Sequence, residues 1–236
     1  EDGVFVFEVS SVMHTMKGKV FDYIYHEHLS YHSILALEPF LAGFSLQIFD
    51  VEVVSTKGGS YRVFARKTKS AIEKTARFFK VLQDELEAGI DKTDFYRGVY
   101  REILMEKEKL NSFLLGLQKN QKVVGYGASA TSTTLCYEFE LTKSFEYIVD
   151  DNPIRHGKFL PGTDIQVLSS KILTERPPTH VIILAWRFSQ MILDKITKSL
   201  PDATVYINSI QYSPAMYWNI YHKAMKDCSF LIQLVH

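Results

Sequence analysis

The apolar positions change period three times along this chain. GVFVFEV, residues 3–9, is an almost unbroken apolar run rich in valine and phenylalanine. Lacking alternation, it predicts a strand buried on both faces, as in a parallel sheet. ILALEPFLAG (34–43) predicts a short helix stopped by Gly43, with Pro39 near an end or a kink. FSLQIFDVEVV (44–54) and YRVFAR (61–66) then alternate on either side of STKGGS (55–60). Two alternating segments around Gly58-Gly59 predict an antiparallel hairpin.

The middle of the chain switches to helical spacing. Ile72, Ala76, Phe79, Leu82 and Leu86 fall on one stripe, AGIDKTD (88–94) interrupts it, and Thr93 offers an N-cap. Phe95, Val99, Ile103, Leu110, Leu114 and Leu117 continue the pattern. The charges at 84–87 and 101–109 read as the solvated faces of these helices. From 121 the rhythm becomes strand–helix–strand. KVVGYGAS (122–129), FEYIVDDNP (145–153), THVIILAW (179–186) and TVYINS (204–209) read as strands, with QMILDKITKSL (190–200) a helix. That alternation predicts a small parallel α/β sheet. The aromatic tail, 211–236, follows neither period.

Composition narrows the function. A chain of 236 residues, 46% hydrophobic, has material for one large domain or two small ones. Lys and Arg number 27, as do Asp and Glu, which removes a global electrostatic case for nucleic acid. No apolar run approaches the roughly 20 residues of a membrane span, and no signal peptide is recognisable, so a cytoplasmic protein is expected. Cys136 and Cys228 supply neither a disulfide framework nor a zinc cluster.

FDYIYHEHLSYHS (21–33) concentrates three histidines, a glutamate and three tyrosines. Three readings stay open: a metal site, a hydrogen-bonded structural loop, or general acid–base chemistry. The metalloprotease pattern H-E-x-x-H fails, because Ser30 stands where the second histidine is required. Histidine titrates near neutrality, and a neighbouring carboxylate can raise its basicity or fix its tautomer. GYGAS (125–129) lies where a strand, a glycine turn and a helix start would cradle an anion, although Ala130 replaces the third glycine of G-x-G-x-x-G. Asp150, at the next strand end, is placed to hold a ribose. On pattern alone the site could take a dinucleotide or a nucleotide-sugar, or be a tight turn binding nothing. GGSYR (58–62) is either a flexible hairpin tip or a close backbone approach to a ligand, with Arg62 for an anion. NPIRHGKFLPG (152–162) offers Arg155, His156 and Lys158 to phosphates, or is an exposed loop.

Taken in order, FDYIYHEHLSYHS, GGSYRVFARK, VVGYGASATSTTL, VDDNPIRHGKFLPGTDI and ILAWRF resemble the three-domain sugar C-methyltransferases. These enzymes act on nucleotide-linked keto-sugars using S-adenosylmethionine. The resemblance implies an α/β architecture: residues 1–67 as the end of a class I methyltransferase sheet, 68–118 as a helical connection, and 119–236 as a Rossmann-like parallel-sheet domain. It implies that the chain is the C-terminal part of such an enzyme. The main S-adenosylmethionine site and the zinc-binding cysteines would then lie upstream, with no metal bound here. By the same resemblance His28 is the general base, with Tyr25 and Glu27 supporting it, while His26 and His32 are structural or substrate-lining. The nucleotide-sugar would meet Gly59, Ser60 and Arg62, the turn of Gly125, Gly127, Ala128 and Ser129, and Asp150, Arg155, His156 and Lys158. Two departures stand out: ATSTT lacks the basic residue expected after the turn, and Arg155 occupies a position where lysine is more usual. Two rival readings are a non-catalytic nucleotide-sugar-binding module and an NAD-dependent oxidoreductase resting on GYGAS plus Asp150.

Overall fold

The hairpin expected around Gly58-Gly59 is the centre of the first of two units. The structure, a computed structural model, describes residues 3–69 and 73–207; the tail from 211 and Cys228 lie outside the described residues. One unit comprises the chain up to Phe21 together with His26–Glu102, and the other comprises Asp22–Tyr25 with the chain from Ile103 onward.

In the first unit β1 (Phe5–Ser10) leads into α1 (Val12–Lys17), and α2 (Ile34–Ala42) precedes β2 (Leu46–Val54) and β3 (Ser60–Lys67). The sheet order is β1-β3-β2, antiparallel throughout. A bulge between Ile48 and Asp50 rephases β2, so that Ile48 and Val51 share the face of Tyr61, Val63 and Ala65. That face packs on Ile34, Leu37 and Leu41 of α2 and on Phe78 and Val81 of α3 (Ala76–Ala88).

Two expectations need correction here. Among the described residues GVFVFEV is not a parallel strand covered on both faces: β1 pairs antiparallel with β3, and Val4, Phe5 and Val6 are 42–49% exposed. The stripe of α3 also lies one residue away from the expected one: Phe78, Val81 and Glu85 are buried, while Phe79 and Leu86 are exposed. Glu85, read as part of a solvated face, is fully buried because its carboxylate caps α2 (see Discussion).

α4 (Thr93–Leu115) continues the helical stretch and buries Ile103 and Leu110. In the second unit β4 (Val123–Tyr126), α5 (Ala130–Glu138), β5 (Ile148–Asp150), β6 (Val167–Ser169), α6 (Ile172–Glu175), β7 (His180–Ile183), α7 (Ser189–Ser199) and β8 (Thr204–Ile207) follow in turn. The five strands are parallel in the order β6-β5-β4-β7-β8. This is a Rossmann-like α/β sheet, with its order reversing between β4 and β7. One of its faces buries Val124, Tyr126, Val149, Val181, Ile183 and Val205 against Ile192, Leu193 and Ile196 of α7. The three-residue β6 and one-turn α6 were not foreseen, being too short to show a period. Among the described residues no helix is long and apolar enough to cross a membrane.

Candidate active site

The loop carrying the histidines runs from a 3-10 turn at Phe21–Tyr23 to α2, whose first turn is capped by Ser33. Tyr25 belongs to the second unit: its N–H donates to Tyr23 O at 3.0 Å, and the two rings stand 6.4 Å apart. In the first unit His26 and Glu27 are exposed, with His26 Nε2 4.0 Å from the Glu27 carboxylate. His28 is half-buried. Its pKa is lowered from the ordinary 6.5, by burial first and then by Lys57, with Glu27 opposing. Desolvation therefore outweighs the carboxylate expected to raise its basicity, and the imidazole is neutral at neutral pH, as a proton acceptor must be. His32 braces the loop through its backbone. Its N–H donates to Ser10 O at 3.0 Å and its carbonyl accepts from Val12 N at 2.9 Å.

The hairpin residues are engaged by their own unit. Gly59 has φ +128°, and a Cβ there would stand 2.4 Å from His14 Cβ, so the close approach is to His14. His14 in turn holds Ser11 Oγ through Nδ1 at 2.8 Å. Ser60 is buried and donates to Thr56 O at 3.1 Å. Arg62, expected to hold an anion, is paired across the strands with Glu8 at 3.3 Å and Glu52 at 3.2 Å. Alternating charges directly opposite one another on three strands account for this arrangement.

In the second unit Asp150 draws most of the remaining candidates together. Its carboxylate accepts from Ala128 N at 2.7 Å, Asn152 N at 2.8 Å and Arg155 Nη1 at 2.8 Å, and His156 Nε2 donates to its backbone carbonyl at 2.7 Å. Asp150 thus clasps the glycine turn to the following loop. Gly127 has φ +104° and a hypothetical Cβ 2.3 Å from that of Ala185, while a Cβ on Gly125 would meet Leu184 at 2.8 Å. Both glycines answer to packing inside the sheet. Ser129 caps α5 in a reciprocal box with Ser132. Lys158 is exposed, its backbone paired with Arg155 and Val167.

A family model described as the C-methyltransferase C-terminal domain matches residues 55–210. The chain belongs to that family. It is 27% identical over 208 residues to the C-methyltransferase NovU of Streptomyces niveus, a match covering 87% of this chain and 50% of that protein. The chain spans about half the length of this curated relative.

The second unit also contains polar contacts that sequence reasoning did not assign, joining residues 186 and 187, inside the matched domain, to residues 22 and 23, outside it. Trp186 Nε1 donates to Asp22 Oδ2 at 2.7 Å, and Arg187 donates to the Tyr23 hydroxyl, all four residues lying in the second unit. ILAWRF and FDYIYHEH were both recognised as motifs, but nothing in either signalled that they touch. A further cluster joins Asp151 to the Tyr126 hydroxyl at 3.1 Å, Ser170 Oγ at 2.7 Å and Lys195 Nζ at 2.7 Å. Among the described residues no three His, Cys, Asp or Glu side chains gather to hold a metal ion.

Proposed function

We propose that this chain serves a C-methyltransferase moving a methyl group from S-adenosylmethionine to a ring carbon beside the ketone of a nucleotide-linked sugar, with His28 as the general base. The observation that carries the reading is the family match over residues 55–210, to which the neutral, half-buried His28 gives a chemical centre. The ketone acidifies the neighbouring C–H, and His28 takes that proton to become imidazolium. The C–H electron pair becomes the enolate double bond, and charge moves to oxygen. Tyr25 donates to that oxygen, and Glu27 favours the imidazolium. The nucleotide's phosphates are assigned by the same resemblance to the 152–162 loop, where Lys158 is exposed and Arg155 is paired with Asp150.

In the first unit β1 passes into α1 through Ser11, whose hydroxyl accepts from His14 N, with no glycine turn between strand and helix. The main donor site, and the zinc, are proposed to lie outside these residues because the family resemblance implies it.

The test needs no donor. Nucleotide-linked keto-sugars incubated in D2O with the protein gain deuterium at the carbon beside the ketone if a base removes its proton. His28→Ala should slow this exchange by about 10²–10⁴-fold, with sugar-nucleotide affinity retained, and His26→Ala should change it little. Exchange that survives in His28→Ala places the base elsewhere. Binding without exchange in the unaltered protein would favour a non-catalytic sugar-nucleotide module.

A further inference from the structure

Trp186 and Arg187 stand in the loop after β7, and that loop is a rigid shelf. The N–H groups of Leu184 and Ala185 both donate to Tyr126 O at the end of β4, at 2.9 and 3.0 Å. Gly127 packs on Ala185 with no space for a side chain. From this shelf the Trp186 indole N–H reaches the Asp22 carboxylate at 2.7 Å. Arg187 donates to the Tyr23 hydroxyl, and its guanidinium carbon lies 5.7 Å from the centre of that ring. Asp22 is fully buried, and a buried carboxylate is tolerated only where directed donors meet it. Tyr25 lies two positions beyond Tyr23, across Ile24, and its N–H donates to Tyr23 O. The turn leading to Tyr25 is therefore held at Asp22 and Tyr23, three and two positions before it.

The position of the shelf gives these contacts a purpose. It lies at the carboxyl end of the parallel sheet, beside the reversal of strand order between β4 and β7, where folds of this type take their ligands. A group that must donate to a developing oxyanion needs its supporting residues locked, since a displacement of about 1 Å is costly in rate. We propose that Trp186 and Arg187 are positioning residues that hold Tyr25 at this end of the sheet through Asp22 and Tyr23. The use made of the Tyr25 phenol rests on the mechanism proposed above, whereas the latch itself does not.

Amide hydrogen exchange on the whole 236-residue chain tests the latch without any substrate. Trp186→Phe keeps the ring's packing but loses its donor. Exchange across 22–31 should quicken about 10- to 100-fold, the range set by losing one hydrogen bond to a carboxylate, while β4, β7 and β8 keep their protection. Asp22→Leu should match it. Asp22→Asn retains an acceptor for the indole and should stay near the unaltered protein, which separates the hydrogen bond from packing. Arg187→Gln provides a second route if Trp186→Phe unfolds. Unchanged exchange over 22–31 in both Trp186→Phe and Asp22→Leu overturns the proposal. The same variants are then assayed by donor-free deuterium uptake into a nucleotide-linked keto-sugar. The positioning role requires kcat to fall at unchanged KM in Trp186→Phe and to recover in Asp22→Asn; a faster-exchanging segment with unchanged kcat also overturns it. Absence of deuterium uptake in the unaltered protein, with amide exchange responding as expected, counts against the proposed reaction and leaves the latch supported.

Discussion

Replacing Glu85 by alanine should be among the most damaging single changes in the first unit. Glu85 is fully buried on α3, and its two carboxylate oxygens accept the backbone N–H groups of Ile34 at 3.0 Å and Leu35 at 2.9 Å. It thereby caps the first turn of α2 from 50 residues away in sequence, adding to the local cap by Ser33. Hydrogen bonds to a charged group are worth about 1.5–3 kcal/mol each, and Ile34 is too buried for water to replace the lost acceptor. Two such bonds give an expected loss of about 3–6 kcal/mol for Glu85→Ala. Glu85→Gln keeps one acceptor but turns an N–H₂ toward a donor, so about half that loss is expected. Urea unfolding measures the total, and exchange of the Ile34 and Leu35 amides localises it. A loss below about 1 kcal/mol, or unchanged protection of those two amides, would refute the capping role.

The same residue has a pH signature. Burial raises the Glu85 carboxyl pKa above the ordinary 4.5, and the two N–H donors hold it back. A carboxyl whose native pKa is raised binds its proton more readily in the folded state. Its contribution to stability is therefore fully present below pH 4.5 and is lost as pH rises through the native value. The difference in urea midpoint between the unaltered protein and Glu85→Gln should accordingly shift in favour of Gln as pH rises from 4 to 7. A constant difference would mean that Glu85 does not titrate as its burial requires.

Other changes read other parts of the molecule. Gly127→Ala combines φ +104° with a 2.3 Å clash against Ala185 and should abolish amide protection throughout β4 and β7, whereas Gly157→Ala, at φ +77° with nothing within 4 Å, should cost only about 1 kcal/mol. Asp150→Ala removes the acceptor of Ala128 N, Asn152 N and Arg155, and should cost about 3 kcal/mol, lowering Tm by roughly 6–12 °C in a scanning-calorimetry trace. Burial lowers the pKa of His180 from 6.5, so its contribution is complete above that pH and declines as pH falls toward the native value; His180→Gln should flatten the loss of stability between pH 7 and 5. The Cys136 thiol, pushed up to about 12 by burial, should stay unmodified by iodoacetamide at pH 8, as read by peptide mass spectrometry.

The strands and helices that sequence made legible were those whose period runs long enough to count. The β2–β3 hairpin, α2 and the strand–helix alternation from β4 to β8 all carry it. Where it failed, a contact distant in sequence had overridden the local pattern. Glu85 looked like a solvated charge because its partners, the amides of α2, carry no side-chain signal. GVFVFEV looked like a parallel strand because apolarity reports how much of a strand could be covered, not the direction of its partner, and β1 runs antiparallel to β3. Asp22 and Trp186 lie 164 residues apart, and no spacing rule connects them.

The candidate site shows the same division more sharply. The motif residues that stood out most strongly in the second unit, Gly125, Gly127, Ser129 and Asp150, are all bound into the backbone geometry of one turn. Gly125 and Gly127 clear space for Leu184 and Ala185, Ser129 caps α5, and Asp150 holds Ala128 N. A turn this constrained tolerates few residue types, so it writes a strong pattern whether or not a ligand touches it. An NAD-dependent reading needs the Asp150 carboxylate for a ribose, and that carboxylate already serves two amides and Arg155. Motif strength at this turn reflects the demands of the fold, so it does not by itself report a ligand. His28 in the first unit and exposed Lys158 in the second are each positions where substitution should change the proposed reaction while leaving the fold intact. Asp150 and the glycines should do the reverse.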